Sequence, residues 1–260
     1  MPRRSFLTLA STALALSAAR QVRADEVAEV RDLTEAGRRF TLVVPKHLAP
    51  GDRVPLVVLL HGLGETNDAR AGAFAWVERY GLVSSYEQLR KRMPGMRGLV
   101  MACPYMPNVA GSAEALESYG RWVTQALVPR ARREAPVLEG DRKTTIGGCS
   151  LGGYVSLEIF LRRPESFGAW GGVQTAIGEG SAARNAERLA LAVGGDAGPL
   201  RALSLVTSTE DPSRKANEAL ARALAQRSVA HELRVLPGPH TQAWLREAGT
   251  LETLLFHARV

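Results

Sequence analysis

The sequence predicts one α/β domain, a mostly parallel central sheet with helices on both faces. Three observations carry this. Short apolar runs without polar alternation recur at residues 55–60 and 98–103, the pattern of strands buried on both faces. Longer stretches of helical period separate such runs along the whole chain, as helices covering both sides of a parallel sheet require. The 260 residues, 45% of them apolar, suffice for one large core.

The elements follow in order. Residues 39–45, rich in β-branched side chains, read as a strand, and Pro50-Gly51-Asp52 supplies turn chemistry. The apolar strand 55–60 ends at His61-Gly62-Leu63-Gly64. A helical stretch at 71–92 is broken at Pro94-Gly95 before the strand 98–103. Residues 118–133 form an amphipathic helix, with Trp122, Leu127 and Val128 among its apolar positions. A short strand at 144–148 leads to a helix at 152–163, halted by Pro164. A strand at 167–173, a variable Gly/Ala-rich stretch to residue 200 and a strand at 203–207 come next. The helix 212–227 carries Pro212 in its first turn. The last strand is 231–236 and the last helix 242–257.

The formal charge of +7 does not mark a nucleic-acid binder. More than half of the excess sits at Arg3, Arg4, Arg20 and Arg23, within 24 residues that hold no acidic side chain. Later basic runs, at 90–92 and 130–133, lack interleaved aromatics and read as solvated helix faces. The first 24 residues have the layout of a cleavable export signal: a basic start, an apolar stretch at 6–19 and Val22-Arg23-Ala24 before Asp25. That stretch is too short to span a bilayer as a stable anchor. Arg3-Arg4-Ser5-Phe6-Leu7 resembles the twin-arginine signal, departing from it at Pro2 and Thr8. An ordinary secretory signal is the alternative. Either route puts the mature domain, residues 25–260, in the periplasm or outside the cell. Cys103 and Cys149 each end an apolar run and are expected as buried free thiols rather than a disulfide. Neither falls in a metal-ligand pattern, so no metal is expected.

The chemistry centres on Gly148-Cys149-Ser150-Leu151-Gly152, a Gly-x-Ser-x-Gly motif between a predicted strand and a predicted helix. The chain must reverse tightly there, which requires small residues on either side of the serine. A serine hydroxyl needs a base to act as a nucleophile, and in folds with this motif the partners follow it in the order acid, then histidine. Of five histidines, His47 and His61 precede Ser150. His231 opens a strand, and His257 near the end of the last helix is expected to fray. His240 remains, in a loop after the last strand, at the sheet edge where ligand sites of open α/β sheets gather. The acid is expected in the loop after the strand 203–207. Asp211 is the first choice, with Glu210 and Asp196 as lesser candidates; Asp211 before Pro212 also suits a helix cap. Backbone N–H groups of Leu151 and of Leu63, with Gly64 next, are the expected oxyanion donors.

Four segments together resemble the putative-esterase (esterase D-like) branch of the α/β-hydrolases, which includes S-formylglutathione hydrolases, feruloyl esterases and mycolyltransferases. They are the runs 55–64, 147–154 and 163–168, and the stretch from Thr209-Glu210-Asp211-Pro212 to Pro239-His240. The resemblance implies an α/β-hydrolase fold, Ser150, Asp211 and His240 as a triad, no cofactor and no metal. The sequence departs from the family at Cys149, where an apolar residue such as Leu is common, and at 174–200, which has little of a recognisable lid. The function expected is an exported serine hydrolase cleaving small-molecule or polymer-linked carboxylic esters through an acyl-enzyme. An acyltransferase of the same fold and a non-catalytic binding protein that keeps the fold are the alternatives. Composition and motifs leave the oligomeric state open.

Overall fold

The computed structural model describes residues 27–194 and 201–260. The segment read as an export signal, and Asp196, lie outside them. Eight strands form one sheet: β1 (Ala28–Glu35), β2 (Arg38–Pro45), β3 (Leu56–Leu60), β4 (Val100–Pro104), β5 (Thr144–Cys149), β6 (Ala169–Val173), β7 (Ala202–Glu210) and β8 (Glu232–Pro239). Their order across the sheet is β1-β2-β4-β3-β5-β6-β7-β8. β2 runs antiparallel to both β1 and β4, and all other pairs are parallel. This is the α/β-hydrolase architecture.

Every residue of β3, β4, β5 and β6 is buried, because both faces of the sheet are covered. The period of two distributes β3 between two cores. Leu56, Val58 and Leu60 pack with Phe160, Leu189 and Leu220 on one side. Val57 and Leu59 pack with Trp76, Tyr86 and Leu254 on the other. Each fully buried Leu or Phe contributes roughly 1.5–3 kcal/mol relative to exposure, so β3 anchors both layers.

Helices α3 (Ala113–Trp122, continuing through Val123–Leu127 and Val128–Glu134), α4 (Leu151–Arg162), α5 (Ala182–Val193) and α6 (Arg214–Gln226) cover the first face. The second face is covered by α1 (Ala69–Phe74, extended by Ala75–Arg79), α2 (Leu82–Arg92) and α7 (Gln242–Trp244, Leu245–Gly249 and Thr250–His257).

The structure departs from the sequence reading in four places. The helical stretch 71–92 is two helices, because Gly81 adopts a left-handed conformation between α1 and α2. The stretch read as variable contains α5, whose buried residues Ala182, Asn185, Ala186 and Leu189 recur at helical spacing. β1 adds an edge strand, joined to β2 by Ala36 and Gly37, both at positive φ as a two-residue hairpin favours. His257 does not fray: it is fully buried under the sheet, because α7 docks its last turn on β6.

Candidate active site

The serine turn is built by steric exclusion. Ser150 has φ 54° and ψ −118°, a backbone conformation costing about 1–3 kcal/mol for a residue with a side chain. A Cβ on Gly148 would meet the Gly152 carbonyl at 2.6 Å, and one on Gly152 would run into the carbonyl oxygens of Leu60 and His61. β5, β3 and α4 therefore approach closely enough to hold the turn. The Ser150 N–H donates to Val173 O at 2.9 Å, and Ser150 O accepts from Ala176 N–H at 3.0 Å and Tyr154 N–H at 3.1 Å.

His240 follows β8 directly. Its Nε2 lies 3.2 Å from Ser150 Oγ, and its Nδ1 lies 2.8 Å from Asp211 Oδ1. The chain on either side is fixed by Gln174, which donates to Pro239 O at 3.2 Å and Ser208 Oγ at 2.7 Å, and by Thr241, which caps α7. The imidazole is one-third exposed, whereas the Asp211 side chain is fully buried.

Burial opposes ionisation of Asp211. Hydrogen bonds from His240, the Thr207 hydroxyl (2.6 Å) and the Ser213 N–H (3.0 Å) outweigh it, holding the carboxyl below its ordinary range. The bond to Ser213 is the capping contact the sequence suggested, made by the same carboxylate that meets His240. Glu210, by contrast, is exposed at the end of β7, and no hydrogen bond joins it to His240 among the described residues. A hydroxyl bonded to an imidazole that is in turn bonded to a buried carboxylate can pass its proton along while attacking a carbonyl carbon.

Leu63 opens a short 3₁₀ turn after β3, and Leu151 opens α4. Helix-opening N–H groups have no intrahelical acceptor, and no protein acceptor meets either of these two among the described residues. His61 braces the loop. Its Nε2 accepts from Met106 N–H at 2.9 Å, so Nδ1 carries the proton and donates to Gly62 O at 2.8 Å. Burial lowers its pKa and keeps the ring neutral.

A family model described as Putative esterase matches residues 33–248, from β1 through the segment that carries His240. The chain belongs to this family. It is a carboxylic ester hydrolase. Its fold superposes on a ferulic acid esterase with a TM-score of 0.69 at 17% identity, over 89% of this chain and 97% of that one. An S-formylglutathione hydrolase from Staphylococcus aureus gives 0.68 at 16%, over 89% and 96%. A feruloyl esterase module from Clostridium thermocellum, complexed with sinapinate, gives 0.70 at 13%, over 90% and 88%. No curated protein sequence matches the chain.

In this esterase a cavity of about 330 Å³ opens beside Ser150 and His240. Leu63, 56% exposed, stands at the cavity. Glu65, Tyr80, Gln174 and Gln242 also line it, and the sequence reading named none of them. Only Glu65 carried a local signal, directly after His61-Gly62-Leu63-Gly64. The others arrive from elements distant in sequence. Burial pushes the Cys149 thiol and the Tyr80 phenol up, so both stay protonated. Cys103 is likewise a buried free thiol. Among the described residues, no group of three or more His, Cys, Asp or Glu side chains is placed to hold a metal ion, and no helix is long and apolar enough to cross a membrane.

Proposed function

We propose that the esterase works through an acyl-enzyme on Ser150, with His240 as general base and then acid, and Asp211 as the group that orients it. The supporting observation is the continuous pair of contacts, Ser150 Oγ to His240 Nε2 at 3.2 Å and His240 Nδ1 to Asp211 Oδ1 at 2.8 Å. Ser150 Oγ attacks the ester carbonyl carbon while its proton moves to His240 Nε2. The oxygen of the tetrahedral intermediate takes hydrogen bonds from the N–H groups of Leu63 and Leu151. Collapse breaks the bond to the alcohol oxygen, which leaves with the proton from His240. Water then attacks the acyl-serine, gives its proton to His240, and the acid departs as Ser150 recovers its own. Ionised Asp211 offsets the positive charge on His240 in both halves. No cofactor takes part in any step.

The substrate class is a small-molecule or polymer-linked carboxylic ester. Ser150→Ala tests the reading. Turnover of a short-chain nitrophenyl ester and labelling by a fluorophosphonate should both vanish while the thermal melt is unchanged. Retained turnover in a purified, folded variant removes Ser150 as nucleophile.

Residues 1–24 are read as a twin-arginine export signal and 25–260 as a single catalytic domain, on the strength of the Arg3-Arg4 pair and the apolar stretch behind it. Replacing Arg3 and Arg4 together by Lys should hold the protein in the cytoplasm, because the pair is read as an address rather than as charge. Normal export on fractionation would replace this route with the general secretory one.

A further inference from the structure

We infer that Glu65 is a positioning residue that fixes the oxyanion loop against the loop carrying His240. The inference rests on the proposed roles of Leu63, Ser150 and His240.

The Glu65 side chain is 1% exposed, and three donors from two other segments converge on it. Oε1 accepts from Arg79 Nη1 and from Gln242 Nε2, each at 3.0 Å. Oε2 accepts from the Tyr80 hydroxyl at 2.6 Å. That hydroxyl accepts in turn from the Gly62 N–H at 3.3 Å. Its single proton therefore points at Glu65.

The chain of contacts begins at Gly62, the residue before Leu63, and ends at Gln242, two residues beyond His240. The outer parts of the network are themselves anchored: Thr250 Oγ1 donates to Tyr80 O at 2.7 Å, and Arg246 Nε donates to Arg79 O at 2.9 Å. Loop β3–α1 and the start of α7 thus share one buried acceptor.

An ionised carboxylate suits this place because it offers acceptors only. An amide would turn an NH₂ toward a guanidinium, an amide or a phenol that all donate, and at least one link would break. The consequence is kinetic rather than gross. The oxyanion donors and His240 must meet one tetrahedral centre together, and small displacements there weaken the transition state more than the bound ester.

Glu65→Gln, Gln242→Ala and the double variant should be compared with the parent on nitrophenyl acetate, with phenylboronic acid as a tetrahedral adduct former. Gln242 is exposed, so its replacement leaves folding intact. Glu65→Gln should lower kcat by about 10- to 100-fold with KM within about threefold, and weaken phenylboronic acid by a similar factor. Gln242→Ala should reproduce about a threefold to tenfold part of the kcat loss, and the double variant should lose less than the product of the two. Unchanged kcat or unchanged boronate affinity in folded Glu65→Gln overturns the inference, and so does unchanged kcat in Gln242→Ala. So does full multiplicativity. If Glu65→Gln fails to fold, Gln242→Ala alone decides: an unaltered kcat and boronate affinity overturns it. Loss of all activity in Ser150→Ala alongside normal Glu65→Gln would remove Glu65 only, whereas retained activity in Ser150→Ala would remove the underlying catalytic reading.

Discussion

Asp211→Asn separates the two jobs of one carboxylate. In the parent, Oδ1 meets both His240 Nδ1 at 2.8 Å and the Ser213 N–H at 3.0 Å, and Oδ2 takes the Thr207 hydroxyl at 2.6 Å. Asparagine keeps an acceptor for Ser213, and its NH₂ can donate to Thr207 Oγ1, which also accepts. Because Asn caps helices about as well as Asp, the melt should shift by only a few degrees, within about 1 kcal/mol. What vanishes is the charge facing the imidazolium. Two unit charges about 4 Å apart interact by about 4 kcal/mol at an effective dielectric of about 20. His240 is one-third exposed, and solvent screening trims that value. A loss of about 10²- to 10³-fold in kcat/KM follows, since each 1.4 kcal/mol is about a factor of ten. Initial rates on a short-chain nitrophenyl ester, with a melt on the same sample, measure both quantities. Glu210→Gln is the control, expected to stay within about tenfold because Glu210 is exposed and unbonded to the imidazole. A fall of less than about tenfold in Asp211→Asn, or an equal fall in the control, would refute the argument.

Two further outcomes follow from buried groups. Among the described residues no hydrogen-bond partner meets either ring nitrogen of His257, and burial takes its pKa down to about 3 from an ordinary 6.5. It is neutral in the fold, so its full stability contribution is present above about pH 6.5 and is lost as pH falls toward 3. The slope reaches about 1.4 kcal/mol per pH unit, or about 2 kcal/mol between pH 7 and 5. Urea unfolding of His257→Leu at both pH values should show that loss removed, and an unchanged pH dependence would count against it. Gly152→Ala should cost at least about 2 kcal/mol and displace Ser150, because the new methyl enters the Leu60 and His61 carbonyls. Gly64→Ala, with nothing within 4 Å of the added Cβ, should melt like the parent; equal melts for the two variants would dismiss the steric account.

The fold class could be named from the chain alone, and so could Ser150, Asp211 and His240 as the candidate side chains that the fold brings within hydrogen-bond reach of one another, because each left a local mark. The doubly buried strands read as apolar runs, the reversing turn demanded Gly148 and Gly152, and order along the chain reduced the histidines to one. The misreadings have equally physical sources. α5 does carry a helical period, but mostly in alanine and between glycine-rich flanks, so its apolar face is faint. β1 exposes much of both faces and is a strand because β2 pairs with it. His257 looked like a terminal residue on the way to fraying; docking of α7 beneath β6 made it part of the core.

The same division governs the site. Local sequence determined which side chains could do chemistry, since turn sterics and element order act over a few residues. Tertiary structure alone decided what surrounds them: Tyr80 from the end of α1, Gln174 after β6 and Gln242 from α7 all meet at one cavity with Glu65. Hydrogen bonds among side chains as far apart as Glu65 and Gln242 leave no periodicity or spacing to read, because only the assembled sheet and its two helical layers bring their donors and acceptors within reach.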